Sequence, residues 1–184
     1  MNTYFKKINF NFDPAPVMEI ADKYLDNATD GFKDSDGNYT TYASVGQVME
    51  ANGTSVTSLY LRDLPVDFTN LKVLHDCVEL FKNTPKHNNF DHVYKYAQFF
   101  KIKGPLPPHI DKRTCVFTIP LYGVDRPVYW FDDNNQVLEK YTYDGPSIIN
   151  TSIKHGCMEN EGERVFFQIG GFSEPFEEIA KVVW

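Results

Sequence analysis

The stretch PPHIDKRTCVFTIPLYG, residues 107–123, joins a polar segment to a run of apolar and β-branched residues. Its first half places His109 and Asp111 one residue apart, directly after two prolines. Its second half is rich in Val, Phe, Thr and Ile, a composition typical of a buried β-strand. The His-x-Asp pair therefore has two interpretations: a pair of metal ligands at the end of a strand, or a polar turn that leads into one.

Segments of similar composition follow along the chain, separated in most cases by Gly, Pro, Asn or Asp. The predicted strands are HVYKYAQFFKIKG (92–104), TCVFTIPLYG (114–123), RPVYWFD (126–132), QVLEKYTYD (136–144), PSIINTSIKHG (146–156) and RVFFQIGGF (164–172). Short strands spaced by roughly ten residues indicate a β-sandwich or a double-sheet jelly roll. The predicted fold class is therefore mainly β with N-terminal helices (α+β), built on a double-stranded β-helix, or cupin-like, core.

The N-terminal half has a different periodicity. Residues 13–29 carry apolar side chains at helical spacing after Asp13, a cap, and Pro14, in a first-turn position. Residues 67–85 predict a second helix, whose apolar stripe is Leu71, Leu74, Val78 and Phe81. Residues 55–65 predict a short strand, and residues 30–42 are rich in turn-forming residues. We expect one domain over 1–184, with a helical support region at 1–90 and the jelly roll at 91–184.

Composition limits the classes of partner. The 184 residues are enough for one well-buried domain, and 42% of them are hydrophobic. Because the net charge is −7, we expect neither nucleic acid nor an anionic membrane as a partner. Cys77, Cys115 and Cys157 are far apart and form no CxxC pair, so the sequence predicts a reduced, cytoplasmic protein without a disulfide framework or structural zinc.

The His-x-Asp spacing suits a metal site. On a strand, residues i and i+2 point to the same side, so the side chains of His109 and Asp111 can converge while Ile110 points away. An imidazole nitrogen and a carboxylate oxygen suit a borderline divalent ion, and a second histidine would complete a two-His-one-carboxylate triad. His155, at the end of an apolar strand and before a turn, is the candidate. His87 and His92 with Asp91 form a rival cluster, which we interpret instead as a polar surface turn.

Arg164 is the fourth candidate. If the strands around His155 and Arg164 form a hairpin about residues 160 and 161, Arg164 lies almost opposite His155 and Gly156. Alternation places Arg164, Phe166 and Gln168 on one face of the last strand, and Val165, Phe167 and Ile169 on the other. A buried arginine needs an anionic partner, and a carboxylate-bearing cosubstrate would provide one. The competing interpretation is a surface ion pair with Glu163 or Glu161.

His109-x-Asp111, then His155, then Arg164 nine residues later resembles the Fe(II)- and 2-oxoglutarate-dependent oxygenase superfamily. The blocks PPHIDKRTCVFTIPLYG and IINTSIKHGCMENEGERVFFQI are similar to the core strands of small single-domain members of the phage and marine bacterial type, related to the aspartyl and prolyl hydroxylase branches. The resemblance covers about residues 93–172, and the N-terminal half carries no motif of the family.

The resemblance implies a role for each matching residue. His109, Asp111 and His155 would bind Fe(II), and Arg164 would bind the distal carboxylate of 2-oxoglutarate. Dioxygen would be the second cosubstrate, with ascorbate as an accessory reductant. Because the carboxylate at 111 is retained, the resemblance favours hydroxylation over halogenation. Thr118 would lie near the other carboxylate of 2-oxoglutarate. Phe166 stands where many relatives have a serine, so the hydroxyl partner of the distal carboxylate is expected from another strand, with Tyr96, Gln98 and Tyr129 as candidates.

The resemblance also bears on the substrate. Gly170 occupies the place of a second arginine found in the nucleic-acid repair branch, so the expected substrate is a small molecule or a peptidyl side chain rather than nucleic acid. We expect the protein to be a monomer or a homodimer. Two alternatives stay open: a cupin-like metal enzyme that is not an oxygenase, and a non-catalytic binding or structural jelly roll. DSDGN, residues 34–38, resembles part of a calcium loop but lacks the later glutamate, so we interpret it as a turn.

Overall fold

A computed structural model of the chain describes residues 3–25, 55–64, 66–123, 125–158 and 162–183. The predicted turns at 30–42 and 34–38 lie outside these ranges. The strands are β1 (Phe5–Lys7), β2 (Ser55–Tyr60), β3 (Ala97–Lys103), β4 (Leu106–His109), β5 (Cys115–Tyr122), β6 (Val128–Phe131), β7 (Val137–Tyr141), β8 (Ser147–Asn150), β9 (His155–Cys157) and β10 (Glu163–Ile169). The helices are α1 (Ala15–Tyr24), a 3-10 turn (Leu61–Asp63), α2 (Lys72–Leu80), α3 (Phe90–Tyr96) and α4 (Phe176–Val182).

The strands form two antiparallel sheets. The larger has six strands in the order β1-β8-β5-β10-β3-β2, and the smaller has four in the order β4-β9-β6-β7. Strands that are distant in sequence are neighbours in both sheets, as expected when a jelly roll winds between two layers. The predicted fold class, mainly β with a double-stranded β-helix core, is confirmed.

The larger sheet has two different faces because its side chains alternate. Its outer face packs against the helices, and this main core includes Phe99, Phe117 and Phe167 from the strands with Leu74 and Phe81 from the second helical segment. Its inner face packs against the smaller sheet through two smaller clusters, one around Phe100 and Phe166, the other around Val116 and Trp130. His109, Asp111, His155 and Arg164 line the space between the two sheets.

Both predicted N-terminal helices are present. Helix α1 buries Val17, Ile20 and Ala21, and the Asp13 carboxylate accepts a hydrogen bond from the Ala15 N–H at 3.0 Å. Helix α2 ends at Leu80, and the predicted stripe has Leu74 and Phe81 fully buried, with Leu71 and Val78 packed against the same core. None of the helices in the described ranges is long and apolar enough to cross a bilayer.

The region before residue 91 is not only helical. Strand β1 pairs with β8, and the predicted strand β2 pairs with β3 along its whole length, so both extend the larger sheet. Helix α3 occupies residues for which the sequence predicted a strand. It begins because the Asn89 side chain accepts hydrogen bonds from the N–H groups of Asp91 and His92, which caps the helix. This cap outweighs the strand preference of Val93, Tyr94 and Tyr96.

Candidate active site

Three potential metal ligands meet at one end of the smaller sheet. His109 ends β4 and lies directly opposite His155, which begins β9, while Asp111 follows two residues after His109. Each offers a ligand atom, and these atoms all lie within 4.8 Å of one another. Among the described residues this is the one group of three or more His, Cys, Asp or Glu side chains with such geometry. One imidazole, one carboxylate and a second imidazole can therefore reach a common ion.

Hydrogen bonds to the backbone orient both imidazoles. Nδ1 of His109 lies 2.8 Å from the carbonyl oxygen of Pro107, and Nδ1 of His155 lies 2.9 Å from that of Ile153. A carbonyl can only accept, so each Nδ1 carries a proton, and in the neutral form of each ring Nε2 keeps its lone pair. A metal-binding histidine usually donates its other ring N–H to a carbonyl or carboxylate, which fixes the orientation of the ring.

The Asp111 carboxylate divides its two oxygens between different partners. Oδ1 lies 3.5 Å from Nε2 of His109, and Oδ2 accepts a hydrogen bond from Nε of Arg113 at 2.8 Å. Burial raises the pKa of Asp111, but the bond from His109 and the charge of Arg113 outweigh it, so this pKa lies well below its usual range. Asp111 is therefore ionised and able to bind a cation at neutral pH.

The two histidines have opposite pKa shifts. For His109, burial lowers the pKa, but the hydrogen bonds to Asp111 and Pro107 outweigh it and the net shift is upward. For His155, burial and then the nearby charge of His109 lower the pKa to about 4. His155 is thus neutral at physiological pH, the form that a metal requires.

A cavity between the sheets connects these ligands to Arg164. Its walls are mainly apolar, and include Val56, Phe100, Ile102, Leu106, Ile149 and Phe166. The Arg164 side chain is only 1% exposed and lines the same cavity. Its Nη2 donates to the Gly104 carbonyl at 3.1 Å, whereas Nε and Nη1 have no hydrogen-bond partner in the described part of the chain.

The position of Arg164 corrects the predicted hairpin. Strand β9 pairs with β4 and β6, and β10 pairs with β3 and β5, so His155 and Arg164 lie on different sheets. The chain between them crosses from one layer to the other, and residues 159–161, which include Glu161, lie outside the described ranges. Arg164 therefore faces the ligands across the cavity. Its burial excludes a surface ion pair, and Glu163 instead pairs with Lys101 at 3.1 Å.

The predicted faces of the last strand are correct. Arg164, Phe166 and Gln168 line the cavity, while Val165, Phe167 and Ile169 belong to the main core. Gln168 extends a buried polar row across the larger sheet. Its Nε2 donates to the Thr118 hydroxyl at 3.0 Å, its Oε1 accepts from Gln98 at 3.3 Å, and Ser58 donates to Gln98. Thr118 and Gln98 thus flank Gln168 on its two neighbouring strands, and neither lines the cavity.

Two of the predicted cosubstrate contacts, Tyr129 and Tyr96, lie away from the cavity. Tyr129 points to the outer face of the smaller sheet because its neighbours Val128 and Trp130 face inward, and its ring contacts Phe131. Tyr96 ends helix α3, where its ring lies 4.8 Å from that of His92, away from the cavity. Neither tyrosine is among the residues that line the cavity.

Arg113 and Tyr143 also line the cavity, and neither was a predicted site residue. Arg113 stands two residues after Asp111, so the alternation that pairs His109 with Asp111 could have indicated it. Tyr143 packs against Phe166 with ring centroids 4.9 Å apart, and burial raises its pKa. Nothing in the sequence distinguishes Tyr143 from the neighbouring Tyr141, which contributes to the core between the sheets.

The rival histidine cluster does not form a surface turn around His87. That side chain is 0% exposed, its Nε2 lies 2.8 Å from the Gly170 carbonyl, and its ring stacks on Phe172 with centroids 3.7 Å apart. Burial lowers its pKa to about 4. His87 is a core residue, and the expectation of a polar surface turn is wrong at this position.

Comparison with known proteins defines the fold. A prolyl hydroxylase from Trichoplax adhaerens, solved with a peptide of the hypoxia inducible factor oxygen degradation domain, matches with a TM-score of 0.54 and 10% sequence identity, covering 98% of this chain and 87% of that one. A Pseudomonas putida prolyl-4-hydroxylase matches with a TM-score of 0.51 and 10% identity, covering 91% of this chain and 92% of that one. No protein-family model and no curated protein matches the sequence. The chain therefore has the fold of the solved prolyl hydroxylases.

Proposed function

We propose that this protein is an Fe(II)- and 2-oxoglutarate-dependent dioxygenase, which hydroxylates its substrate and releases succinate and CO2. The observation that carries the proposal is one cavity with a His109, Asp111 and His155 cluster on one sheet and the buried Arg164 on the other, whose Nε and Nη1 have no partner among the described residues. The shared fold with prolyl hydroxylases supports it.

The ligand set fits Fe(II). Two neutral imidazoles and one carboxylate form the facial triad of non-heme iron oxygenases, which leaves positions open on the metal. Both Nε2 atoms are available, and Asp111 directs Oδ1 toward His109. When bound, the iron would supply the oxidative chemistry, with dioxygen and 2-oxoglutarate as cosubstrates.

Arg164 fits the distal carboxylate of 2-oxoglutarate. An arginine that is almost fully buried, with two nitrogens, Nε and Nη1, that have no partner among the described residues, is costly unless an anion binds there. A dicarboxylate that bridges the metal and Arg164 would pair both ends, and the apolar walls between them would exclude water. The Tyr143 phenol and the Gln168 amide line the same space and could complete the polar contacts. In this proposal Thr118 and Gln98 orient Gln168.

The proposed substrate is a small molecule or a protein side chain. The Trichoplax enzyme of the same fold was solved with a peptide, which makes a peptidyl substrate a natural candidate. The net charge of −7 disfavours nucleic acid. We further propose a single functional domain, because β1 and β2 from the N-terminal half complete the larger sheet. A cytoplasmic location stays a prediction.

The test is turnover of 2-oxoglutarate by purified protein with Fe(II), ascorbate and dioxygen, followed as succinate and CO2 release. Slow uncoupled release is expected without substrate, and faster release when a metabolite or peptide pool contains the substrate. His109→Ala removes one ligand and should abolish turnover. Arg164→Ala should instead raise the concentration of 2-oxoglutarate required for half-maximal turnover.

The outcome also separates the alternatives. Metal binding through His155 without any response to 2-oxoglutarate would favour a cupin-like enzyme of another reaction class. Absence of stoichiometric metal binding would favour a non-catalytic jelly roll. Asp132→Asn is a control outside the cavity, and it should leave metal binding unchanged. The Asp132 carboxylate accepts hydrogen bonds from the N–H groups of Asn134 and Gln136 in a turn and does not line the cavity.

A further inference from the structure

We infer that Arg113 is a positioning residue that makes Asp111 a ligand through a single oxygen. This inference rests on the proposed function, because it assumes that Asp111 binds the metal. The Nε group of Arg113 donates to Oδ2 at 2.8 Å, while Oδ1 lies toward the histidines, 3.5 Å from Nε2 of His109. One oxygen is thus occupied by a cation of the protein and the other is available to the ion.

The backbone holds this pair in register. The Asp111 N–H donates to the Thr151 carbonyl at 3.0 Å, and the Thr151 hydroxyl donates to the Arg113 carbonyl at 2.9 Å. Thr151, directly after β8, therefore fixes the main chain on both sides of the carboxylate–guanidinium contact. A rotation of Asp111 about its side-chain bonds would have to break the contact with Arg113.

Packing restricts Arg113 as well. Its side chain is 17% exposed, and a Cβ built on Gly170 would lie 3.4 Å from its Nη1. The guanidinium therefore packs beside the backbone that follows β10, within van der Waals reach of a Cβ at position 170. Gly170, where the nucleic-acid repair branch has a second arginine, thus lies beside the Arg113 guanidinium.

The chemical consequence concerns the open positions on the metal. A carboxylate with both oxygens free can bind an ion through both and thereby occupy two sites. With Oδ2 held by Arg113, Asp111 contributes one donor, so a keto acid and dioxygen retain their positions. Removal of Arg113 should weaken metal binding, because the lost orientation outweighs the relief of repulsion between the guanidinium and the ion.

The test uses Co(II) bound to the whole chain, with no turnover required. Arg113→Met removes the donor, Arg113→Lys keeps the charge and one donor, and Lys112→Met removes the adjacent exposed cation as a control. We expect a Kd for Co(II) that is higher by about tenfold or more in Arg113→Met, a smaller rise in Arg113→Lys, and no change in Lys112→Met. The visible absorption of bound Co(II) should change in Arg113→Met alone, reporting the altered carboxylate coordination.

The same data decide the outcome. An Arg113→Met variant with the wild-type Kd, or with the wild-type Co(II) spectrum, would overturn the role of Arg113. Thermal unfolding of the metal-free variants shows whether a loss of binding reflects only loss of fold, in which case the inference also fails. If the wild-type protein binds no Co(II), the proposed function fails, and this result is distinct from binding that is indifferent to Arg113.

Discussion

The imidazole rings of His109 and His155 lie with centroids 4.4 Å apart, and each ring is bound through Nδ1 to the carbonyl two residues before it. Their register in the β4–β9 ladder places them directly opposite each other. Both Nε2 atoms are thereby presented toward Asp111 before any ion binds. The two hydrogen bonds to backbone carbonyls therefore orient the imidazoles without a bound ion.

Arg164 should lower the stability of the ligand-free protein while it increases the affinity for 2-oxoglutarate. Arg164→Met replaces a buried cation whose Nε and Nη1 have no partner in the described ranges, with the loss of one bond to Gly104, so the free energy of unfolding of the ligand-free protein should rise by about 1 kcal/mol. The same variant should bind 2-oxoglutarate about 10- to 100-fold more weakly, because a charged hydrogen bond is lost. Urea unfolding and binding titrations measure the two effects. The exposed Arg62→Met is the control, and a destabilised variant with normal 2-oxoglutarate binding would contradict the assignment.

Gly156 should be required for the ligand-bearing ladder. A Cβ at this position would lie 2.4 Å from the Leu106 carbonyl oxygen, which forces β9 away from β4. Gly156→Ala should destabilise the protein by about 2 kcal/mol or more and weaken metal binding. At Gly145 nothing lies within 4 Å of the added Cβ, so Gly145→Ala is a matched control without these effects. Chemical denaturation and metal titration of both variants check this, and equal behaviour of the two would refute it.

Acid should destabilise the protein partly through His87. Burial lowers the pKa of His87 to about 4, below the value of about 6.5 expected for an unfolded chain. The unfolded state then binds the proton first, so the contribution is fully present above pH 6.5 and is lost as the pH falls toward 4. Over this range wild type should lose up to about 3 kcal/mol more stability than His87→Phe. Unfolding curves at several pH values test this, with His75→Gln as the control at an exposed histidine.

The alternation of side chains along a strand predicted the features that depend on local sequence alone. The faces of β10, the convergence of His109 with Asp111, and the strand identity of β5 all follow from the two-residue repeat. The same logic could have placed Arg113 beside Asp111 and directed Tyr129 outward, because its neighbours in β6 face inward.

Pairing across the jelly roll was not predictable from local turns. The residues 146–156 read as one strand, but they form β8 in the larger sheet and β9 in the smaller. Sequential strands usually pair with each other, which led to the incorrect hairpin between β9 and β10. The prolines before His109 lie within β4, which tolerates them because it is an edge strand that pairs only with β9.

An anaerobic titration of the whole protein with Fe(II) and 2-oxoglutarate tests whether both ligands bind in the cavity between the sheets. We predict a visible metal-to-keto-acid charge-transfer absorption that saturates at one equivalent of iron. It should be absent in His109→Ala and should require more 2-oxoglutarate in Arg164→Met. A protein that binds Fe(II) but shows no such absorption, or 2-oxoglutarate binding that is indifferent to Arg164, would contradict the claim that both ligands share this cavity.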